Sequence, residues 1–211
     1  MDQSREATTK EKILQVSIDL FAQKGFRDVS VREIAAALGI KASSLYKHYQ
    51  SKEDILEHIF ILFRQTMEQT AFPQEQLRQA IGLLSPGRFL QESFERFKRI
   101  MWDPTIARIA KIITIEQQRN RSVRQFFLRE LIDKPTQTLQ FAFDLMVENG
   151  RIDPLDTGML AQEYTAYVVY LYFEQNFLRE SLSLEEIEQK MKQHNDFFAH
   201  HILARKGESG T

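Results

Sequence analysis

Apolar residues recur three or four positions apart along most of the chain, and polar residues fill the positions between them. This spacing places the apolar side chains on one face of an α-helix. Glycine and proline are scarce, with 8 and 5 residues, and no run of strand-like alternation is bounded by hairpin turns. The sequence therefore predicts an all-α fold.

Residues that favour helix ends divide the first forty positions into two predicted helices. Thr8 or Thr9 is suited to begin a first helix, and Gly25 is suited to end it. Ser30 stands three positions before Glu33, which is the spacing of a capping box at the start of a second helix. These signals predict two helices separated by a short turn.

The same rules extend to the rest of the chain. A third short helix is predicted at about 42–49, after a turn at Gly39, and a fourth begins at Ser51. Pro135 is expected to kink or split the helix that contains it, because proline lacks the N–H of a helix interior. The later helices are predicted at about 51–70, 74–83, 87–102, 104–118, 123–149, 156–179 and 184–204.

Composition narrows the functional classes. The chain has 211 residues, 43% of them hydrophobic, and a formal charge of −1, so it is not a uniformly basic nucleic-acid coat protein. The absence of cysteine excludes disulfides and thiolate chemistry. The longest apolar run, 166–173, is far shorter than the roughly 20 residues of a membrane span, and polar residues follow Met1. We expect a cytoplasmic protein that has no membrane partner.

A local cationic segment lies within residues 30–52. Two short helices joined by a tight turn have the shape of a helix-turn-helix, whose second helix fits the DNA major groove, about 12 Å wide. From Ile34 through Lys52 the chain has no acidic residue. Ammonium and hydroxyl groups suit contact with phosphate. The side chains of this type in the segment are Lys41, Ser43, Ser44, Tyr46, Lys47, Tyr49 and Lys52, with His48 beside them.

An ordered series of motifs over about residues 9–60 closely resembles the TetR family of bacterial regulators. The motifs are Thr9-Lys10-Glu11-Lys12-Ile13-Leu14, Leu20-Phe21-Ala22-Gln23-Lys24-Gly25-Phe26, Val29-Ser30-Val31-Arg32-Glu33-Ile34-Ala35, Leu38-Gly39-Ile40, Leu45-Tyr46-Lys47-His48-Tyr49 and Ser51-Lys52-Glu53-Asp54-Ile55-Leu56. The resemblance implies a helix-turn-helix domain at residues 1–54 and a larger effector-binding and dimerisation domain at 55–211. It also implies a transcriptional regulator that binds double-stranded DNA.

The resemblance also assigns positions on the DNA. It places Ser30 and Lys52 against phosphates, at the starts of the second and fourth helices, and we expect Tyr49 to pack in the interior. The sequence Lys41-Ala42-Ser43 departs from the Ser, Lys and Gly or Ala often found there in the family, so no operator sequence follows. The residues predicted to form the recognition helix and its entry are Lys41, Ala42, Ser43, Ser44, Tyr46, Lys47 and His48.

The larger domain holds most of the aromatic residues, and the family implies that some of them line a cavity. Aromatic walls favour an apolar or aromatic small-molecule effector. The candidates are Trp102, Glu116, Tyr164 and Tyr167. The resemblance further implies a homodimer formed by segments at about 132–150 and 156–179, and a two-fold dimer suits a palindromic operator.

A second interpretation is a helical small-molecule carrier or enzyme with a vestigial DNA-binding head. An enzyme is disfavoured, because the sequence has no phosphate-binding loop and no nucleophile motif, and no cofactor is implied. His194, His200 and His201 lack the i, i+4 spacing of a helical metal site, so we predict none. A carrier has the same apolar cavity and stays open, as does activation in place of repression.

Overall fold

The computed structural model describes residues 8–70, 73–178 and 183–203. The chain forms two compact units. The first unit consists of residues 1–69 and 100–127, and the second of residues 70–99 and 128–211. The first unit is therefore assembled from two stretches of chain that are separated in sequence by thirty residues, 70–99.

Helices are the regular elements throughout the described ranges, which confirms the predicted all-α class. None of the helices in those ranges is both long and apolar enough to cross a bilayer. Three π-helical segments continue helices at 128–133, 174–178 and 198–202. The α-helices are α1 (Thr9–Lys24), α2 (Val31–Ala37), α3 (Ala42–Leu45), α4 (Lys52–Thr70), α5 (Gln74–Leu83), α6 (Pro86–Met101), α7 (Pro104–Glu116), α8 (Arg121–Phe127), α9 (Lys134–Glu148), α10 (Thr157–Phe173) and α11 (Leu184–Phe197).

Helix α1 begins and ends where its sequence predicts. Thr8 Oγ1 accepts the N–H of Glu11, and the Glu11 carboxylate accepts the N–H of Thr8, which forms a complete capping box. At the other end Gly25 has φ 86, in the region that glycine adopts without strain. The buried side of the helix includes Ile13 and Phe21.

In the first unit α7 packs against α1 and α8 packs beside α4. Arg108 Nε of α7 lies 3.1 Å from a carboxylate oxygen of Asp19 on α1. The rings of Phe60 and Phe126 stack with centroids 4.6 Å apart. Through these contacts, the stretch at 100–127 forms part of the same core as the first four helices.

In the second unit α9 and α10 run antiparallel. Thr136 Oγ1 donates to Thr165 Oγ1 at 3.2 Å, and Thr157 Oγ1 donates to Asp144 Oδ1 at 2.5 Å. Residue numbers therefore increase along α9 in the direction in which they decrease along α10. Helix α11 packs on α10, where the Tyr164 hydroxyl donates to Asn195 Oδ1 at 2.8 Å. This helical layer contains the segments predicted to form the dimer interface.

The structure corrects several predicted boundaries. The predicted helix at 123–149 is divided into α8, a π-helical segment and α9, with Pro135 in the first turn of α9 where its missing N–H costs nothing. Arg121 and Ser122, predicted as a break, lie inside α8, because Asn120 Oδ1 caps it by accepting the N–H of Ser122 at 3.0 Å. The predicted ends at Arg179 and Ala204 lie outside the described residues.

The predicted capping box of α2 is half present. Ser30 Oγ accepts the N–H of Glu33 at 3.2 Å, as predicted. The Glu33 carboxylate does not complete the box, because it forms an ion pair with Lys24 Nζ at 2.5 Å. That pairing lowers the pKa of Glu33, and it joins the end of α1 to the start of α2.

Candidate nucleic-acid interface

A tight reversal at Gly39 connects α2 to α3. Ile40 N–H donates to the carbonyl of Ala35 at 3.0 Å, and Gly39 N–H donates to the carbonyl of Ala36 at 3.0 Å. This is the Schellman pattern, which needs one left-handed residue, and Gly39 supplies it with φ 67. The turn closes α2 and directs the chain into the next helix, as the sequence predicts.

Helix α3 is shorter than the predicted range of 42–49. Its α-helical part ends at Leu45, whose side chain is fully buried. Lys47 N–H then donates to the carbonyl of Ser44 at 3.3 Å, and His48 N–H donates to the carbonyl of Leu45 at 2.9 Å. These bonds reach back three residues, so the backbone continues as a tighter turn over 46–48.

The surface of this segment is open to solvent. Ala42 and Ser44 are half-buried, and no acidic residue occurs between Ile34 and Lys52. We call the exposed set the cationic face of α3, and its contacts with DNA stay a prediction. Its members are Lys41, Ser43, Tyr46, Lys47 and His48.

Two neighbouring tyrosines have opposite environments. Tyr46 is 53% exposed, whereas Tyr49 is 1% exposed. The Tyr49 hydroxyl donates to the carbonyl of Lys10 at 3.2 Å, and its ring meets the His58 ring edge-on at 5.0 Å. Burial, with smaller effects of Asp54 and Glu11, raises the pKa of Tyr49 to about 12. Tyr49 therefore anchors α3 from inside, as predicted, and Tyr46 is free to face a ligand.

Ser30 is exposed at the N-terminus of α2. Its oxygen accepts the N–H of Glu33, which leaves its O–H available as a donor to another group. This arrangement is compatible with the predicted phosphate contact.

The ammonium group of Lys52, which the sequence predicts to contact phosphate, binds the protein's own backbone in this structure. Its Nζ donates to the carbonyl oxygens of Phe26 at 2.7 Å, Val29 at 2.9 Å and Arg27 at 3.3 Å. It also lies 4.4 Å from the centroid of the Phe26 ring. An ammonium has three N–H donors, so these carbonyls account for all of them. In this structure Lys52 holds the turn between α1 and α2.

Two of the four predicted effector residues lie in the first unit. Trp102 is half-buried just beyond α6. Glu116, at the end of α7, is buried, and its Oε1 accepts the N–H of Phe26 at 3.2 Å. One carboxylate oxygen of Glu116 thus binds the protein backbone, and the predicted contact of Glu116 with an effector stays a prediction.

The other two predicted effector residues lie together in the second unit. Tyr164 and Tyr167 both contact His194 of α11, whose ring stacks on Tyr167 with centroids 4.0 Å apart and lies 5.2 Å from Tyr164. Burial lowers the pKa of His194 to about 4, so the ring is neutral at pH 7. His194 Nε2 is buried and has no hydrogen-bond partner among the residues that the structure describes. Phe198 completes this group, which we call the His194 cluster, at 5.0 Å from the histidine ring.

Sequence reasoning missed the contribution of His194 to this cluster. The available signal was its position between the buried residues Met191 and Phe198, at helical spacing on the inner face of α11. The other two C-terminal histidines lie elsewhere. His200 Nδ1 lies 2.7 Å from the carbonyl of Asp196, and the ring of His201 lies 5.2 Å from the ring of Phe197.

Comparison with known proteins places the interface within a family motif. Residues 13–59 match the family model described as bacterial regulatory proteins, tetR family. This range includes α2, α3 and the turn between them.

Curated relatives match either part of the chain or most of it. The HTH-type transcriptional repressor KstR2 of Mycolicibacterium smegmatis is 33% identical over 82 residues, which are 35% of this chain and 40% of that repressor. The chain thus spans about two fifths of the length of that relative. A longer match, 24% identical over 190 residues, covers 81% of this chain and 91% of the Bacillus subtilis protein named "Probable HTH-type transcriptional regulator YttP".

Solved structures match the fold over most of the chain. A TetR family transcriptional regulator from Pseudomonas syringae superposes with a TM-score of 0.69 at 20% identity, over 90% of this chain and 94% of that one. A protein described as a transcriptional regulator from Saccharomonospora viridis, in complex with choline, superposes with a TM-score of 0.67 at 20% identity, over 93% of this chain and 98% of that one. At these identities the likeness concerns the fold.

Proposed function

Because the chain belongs to the TetR family of bacterial regulatory proteins, we propose that this DNA-binding transcriptional regulator is a repressor that releases its operator when a small molecule binds. It acts as a homodimer on a palindromic site in double-stranded DNA, and it has no enzymatic activity. Its place of action is the cytoplasm, where the DNA is.

The observation that carries this proposal is the cationic face of α3. Its lysines, hydroxyl groups and histidine are solvent-exposed, while Leu45 and Tyr49 fasten the segment to the core from beneath. An anchored short helix with an acid-free outer surface suits insertion into a major groove about 12 Å wide. Lys47 supplies charge to phosphates, and Ser43 and Tyr46 supply hydroxyl groups to phosphates or base edges.

Helices α9 and α10, with their flanking turns, supply the dimer contacts. Their segments correspond to the interface predicted at 132–150 and 156–179. Helix α10 and its π-helical extension leave large apolar side chains exposed in one protomer, and such patches commonly mark protein contacts. Two-fold pairing sets two α3 helices about 34–36 Å apart, one turn of DNA. The exposed apolar residues in question are Met159, Tyr170, Phe177 and Leu178.

The effector is an apolar or aromatic small molecule that contacts aromatic residues of the larger domain. Tyr167 in the His194 cluster is half-buried, so its ring is the most accessible candidate there, while Tyr164 is buried. The choline complex of the Saccharomonospora viridis protein is an example of a small ligand in this fold. An effector that binds the DNA-incompetent conformation more tightly moves the population away from DNA.

Selection of bound fragments from the source genome tests the proposal. Wild-type protein is expected to enrich a short palindromic sequence, and a compound screen is then expected to find small molecules that release it. Regulators of this type commonly bind near their own gene, so a gel shift on that region is a first assay. A protein that enriches no sequence, but binds small apolar molecules, would be a carrier and would overturn the proposal.

A further inference from the structure

The buried carboxylate of Glu116 is the longest-range polar link to the turn that precedes the DNA-binding helices. Glu116 is 7% exposed and ends α7, whereas Phe26 begins the turn after α1. The Phe26 N–H donates to Glu116 Oε1 at 3.2 Å across ninety residues of sequence. A Cβ built on Gly25 would lie 3.8 Å from the same oxygen, so the carboxylate lies beside the glycine that ends α1 as well as beside Phe26.

Lys52 of α4 binds the same turn. The N–H of Phe26 donates to Glu116, and the ammonium group of Lys52 donates to the carbonyl oxygens of Phe26 and Val29. Both polar groups of one backbone residue are therefore fixed by charged side chains from two different helices. The turn ends at Ser30, the cap of α2, so its position sets where α2 begins.

Burial of a carboxylate carries a desolvation cost that a neutral acceptor would largely avoid. One backbone N–H in a turn does not require a charged partner. A charge-assisted hydrogen bond is stronger than a neutral one, which suits a contact that must hold one conformation. Another polar link between α7 and α1 is the ion pair of Arg108 with Asp19, whose side chains are 41% and 40% exposed and are therefore partly screened by solvent.

We propose that Glu116 is a positioning residue for operator recognition: through the N–H of Phe26, α7 sets the placement of α2 and hence the angle at which α3 is presented. This inference rests on the proposed function. It replaces the effector contact predicted for Glu116 with a contact inside the DNA-binding unit.

Two substitutions of Glu116 separate the hydrogen bond from the charge. Glu116→Leu removes the acceptor, and we expect operator affinity to fall about tenfold, the lower end of what one charged hydrogen bond contributes. Affinity for random-sequence DNA depends on exposed lysines, so it should stay within about twofold of wild type. Glu116→Gln keeps an acceptor oxygen and should retain operator affinity within about threefold.

Thr114→Val is a matched control on the same helix. Thr114 is buried and its hydroxyl donates to the carbonyl of Ala110 at 2.8 Å, on α7 itself. We expect this variant to lose thermal stability without loss of specificity for the operator. Equal losses of specificity in Thr114→Val and Glu116→Leu would overturn the positioning role, as would a larger loss in Glu116→Gln than in Glu116→Leu.

Hydrogen exchange at the Phe26 amide tests the contact directly and needs no operator. Exchange should be slow in wild type, and faster by about tenfold or more in Glu116→Leu alone. Unchanged exchange in that variant contradicts the inference even if wild type binds its operator. If wild-type protein selects no DNA sequence, the proposed function fails, and the role of Glu116 in recognition fails with it, whatever the exchange rate.

Discussion

The ammonium nitrogen of Lys52 lies 2.7 Å from the carbonyl oxygen of Phe26, so this lysine binds the protein's own backbone. Lys47, five positions earlier, extends into solvent from the cationic face of α3. The two lysines thus have different expected roles, although both lie in the same acid-free stretch. Salt dependence of DNA binding distinguishes them, because each neutralised phosphate contributes about 0.9 to the slope of log affinity against log salt.

Lys47→Ala is expected to flatten the salt slope of operator binding by about one for each bound subunit. The reason is the loss of one phosphate contact in each half-site. The slope is measured by fluorescence anisotropy with a labelled operator between low and moderate salt. Lys192→Ala, an exposed lysine of the second unit, is the control and should leave the slope unchanged. An unaltered slope in Lys47→Ala would remove the phosphate contact from the proposal.

Lys52→Met retains the length of the side chain but removes its donors. We expect the salt slope to stay unchanged, and the free energy of unfolding to fall by about 2 kcal/mol, because hydrogen bonds from a charged group to carbonyls are lost. Chemical denaturation and the anisotropy assay measure the two quantities. A flattened slope with unchanged stability would show that Lys52 contacts phosphate in the complex and leaves its carbonyl partners there.

We expect substitutions of Tyr46 and Tyr49 to have opposite effects on stability and on operator binding. Tyr49→Phe removes the hydrogen bond to the carbonyl of Lys10 and should lower the free energy of unfolding by about 1 kcal/mol. Tyr46→Phe removes an exposed hydroxyl and should leave stability unchanged while weakening operator binding. Thermal melts and gel shifts on both variants test this, and the reverse pattern would reject the assignment of inner and outer faces.

Gly39 and Gly82 form a pair of glycine sites with open space around them. A Cβ at either position meets no atom within 4 Å, so backbone conformation alone decides the effect of alanine. Gly39 has φ 67, and Gly39→Ala should lower the free energy of unfolding by about 1 kcal/mol. Gly82 lies within α5, and Gly82→Ala should raise it by about 0.5 to 1 kcal/mol. Denaturant titration of both variants gives the sign directly.

The stability of the protein is expected to depend on pH through His194. The pKa of its imidazole is lowered to about 4 from an ordinary value of 6.5, because burial disfavours the charged ring. The folded state therefore binds fewer protons than the unfolded state between these values, and this contribution to stability is present above pH 6.5 and lost as the pH falls towards 4. Partial contact with solvent limits the loss to about 1 to 2 kcal/mol.

His194→Phe isolates this contribution, because phenylalanine can stack on Tyr167 and does not titrate. The difference in unfolding free energy between the variant and wild type should shift in favour of the variant as the pH falls from 7 to 4.5. His200→Gln serves as the comparison, since His200 is exposed in the π-helical segment that follows α11. A difference that does not change with pH would mean that His194 titrates normally.

The sequence predicted the ends of helices correctly where the capping residue interacts only with its neighbours in sequence. Thr8 with Glu11 begins α1, and Gly39 closes α2, because these interactions involve neighbours in sequence. Glu33 shows the limit: its spacing from Ser30 predicts a capping box, but Lys24, nine residues away, binds its carboxylate. Spacing rules describe the partners available within one turn and omit competitors that the fold brings close.

Some features of the candidate site could likewise be predicted from the sequence, and others could not. Exposure of Lys41, Lys47 and His48 agrees with the place that the resemblance gave them, on the predicted recognition helix and its entry. The binding of Lys52 to three carbonyls did not, because carbonyl groups are present at every residue and carry no sequence signal. The link between Glu116 and Phe26 spans ninety residues, and no pattern in either segment indicates it.

The turn between α1 and α2 is held in part by Glu116, which follows it by about ninety residues in the sequence. A fragment that ends at residue 69 would lack α7, so the Phe26 amide would lose its contact with Glu116 and Asp19 would lose its ion pair with Arg108. The side of α1 that packs against α7 would then be exposed to water. Chimaeras that exchange operator preference between relatives should accordingly transfer residues 100–127 together with the N-terminal helices. A chimaera that exchanges residues 1–69 alone would transfer the exposed DNA-facing residues without the helices that pack against α1 and α4.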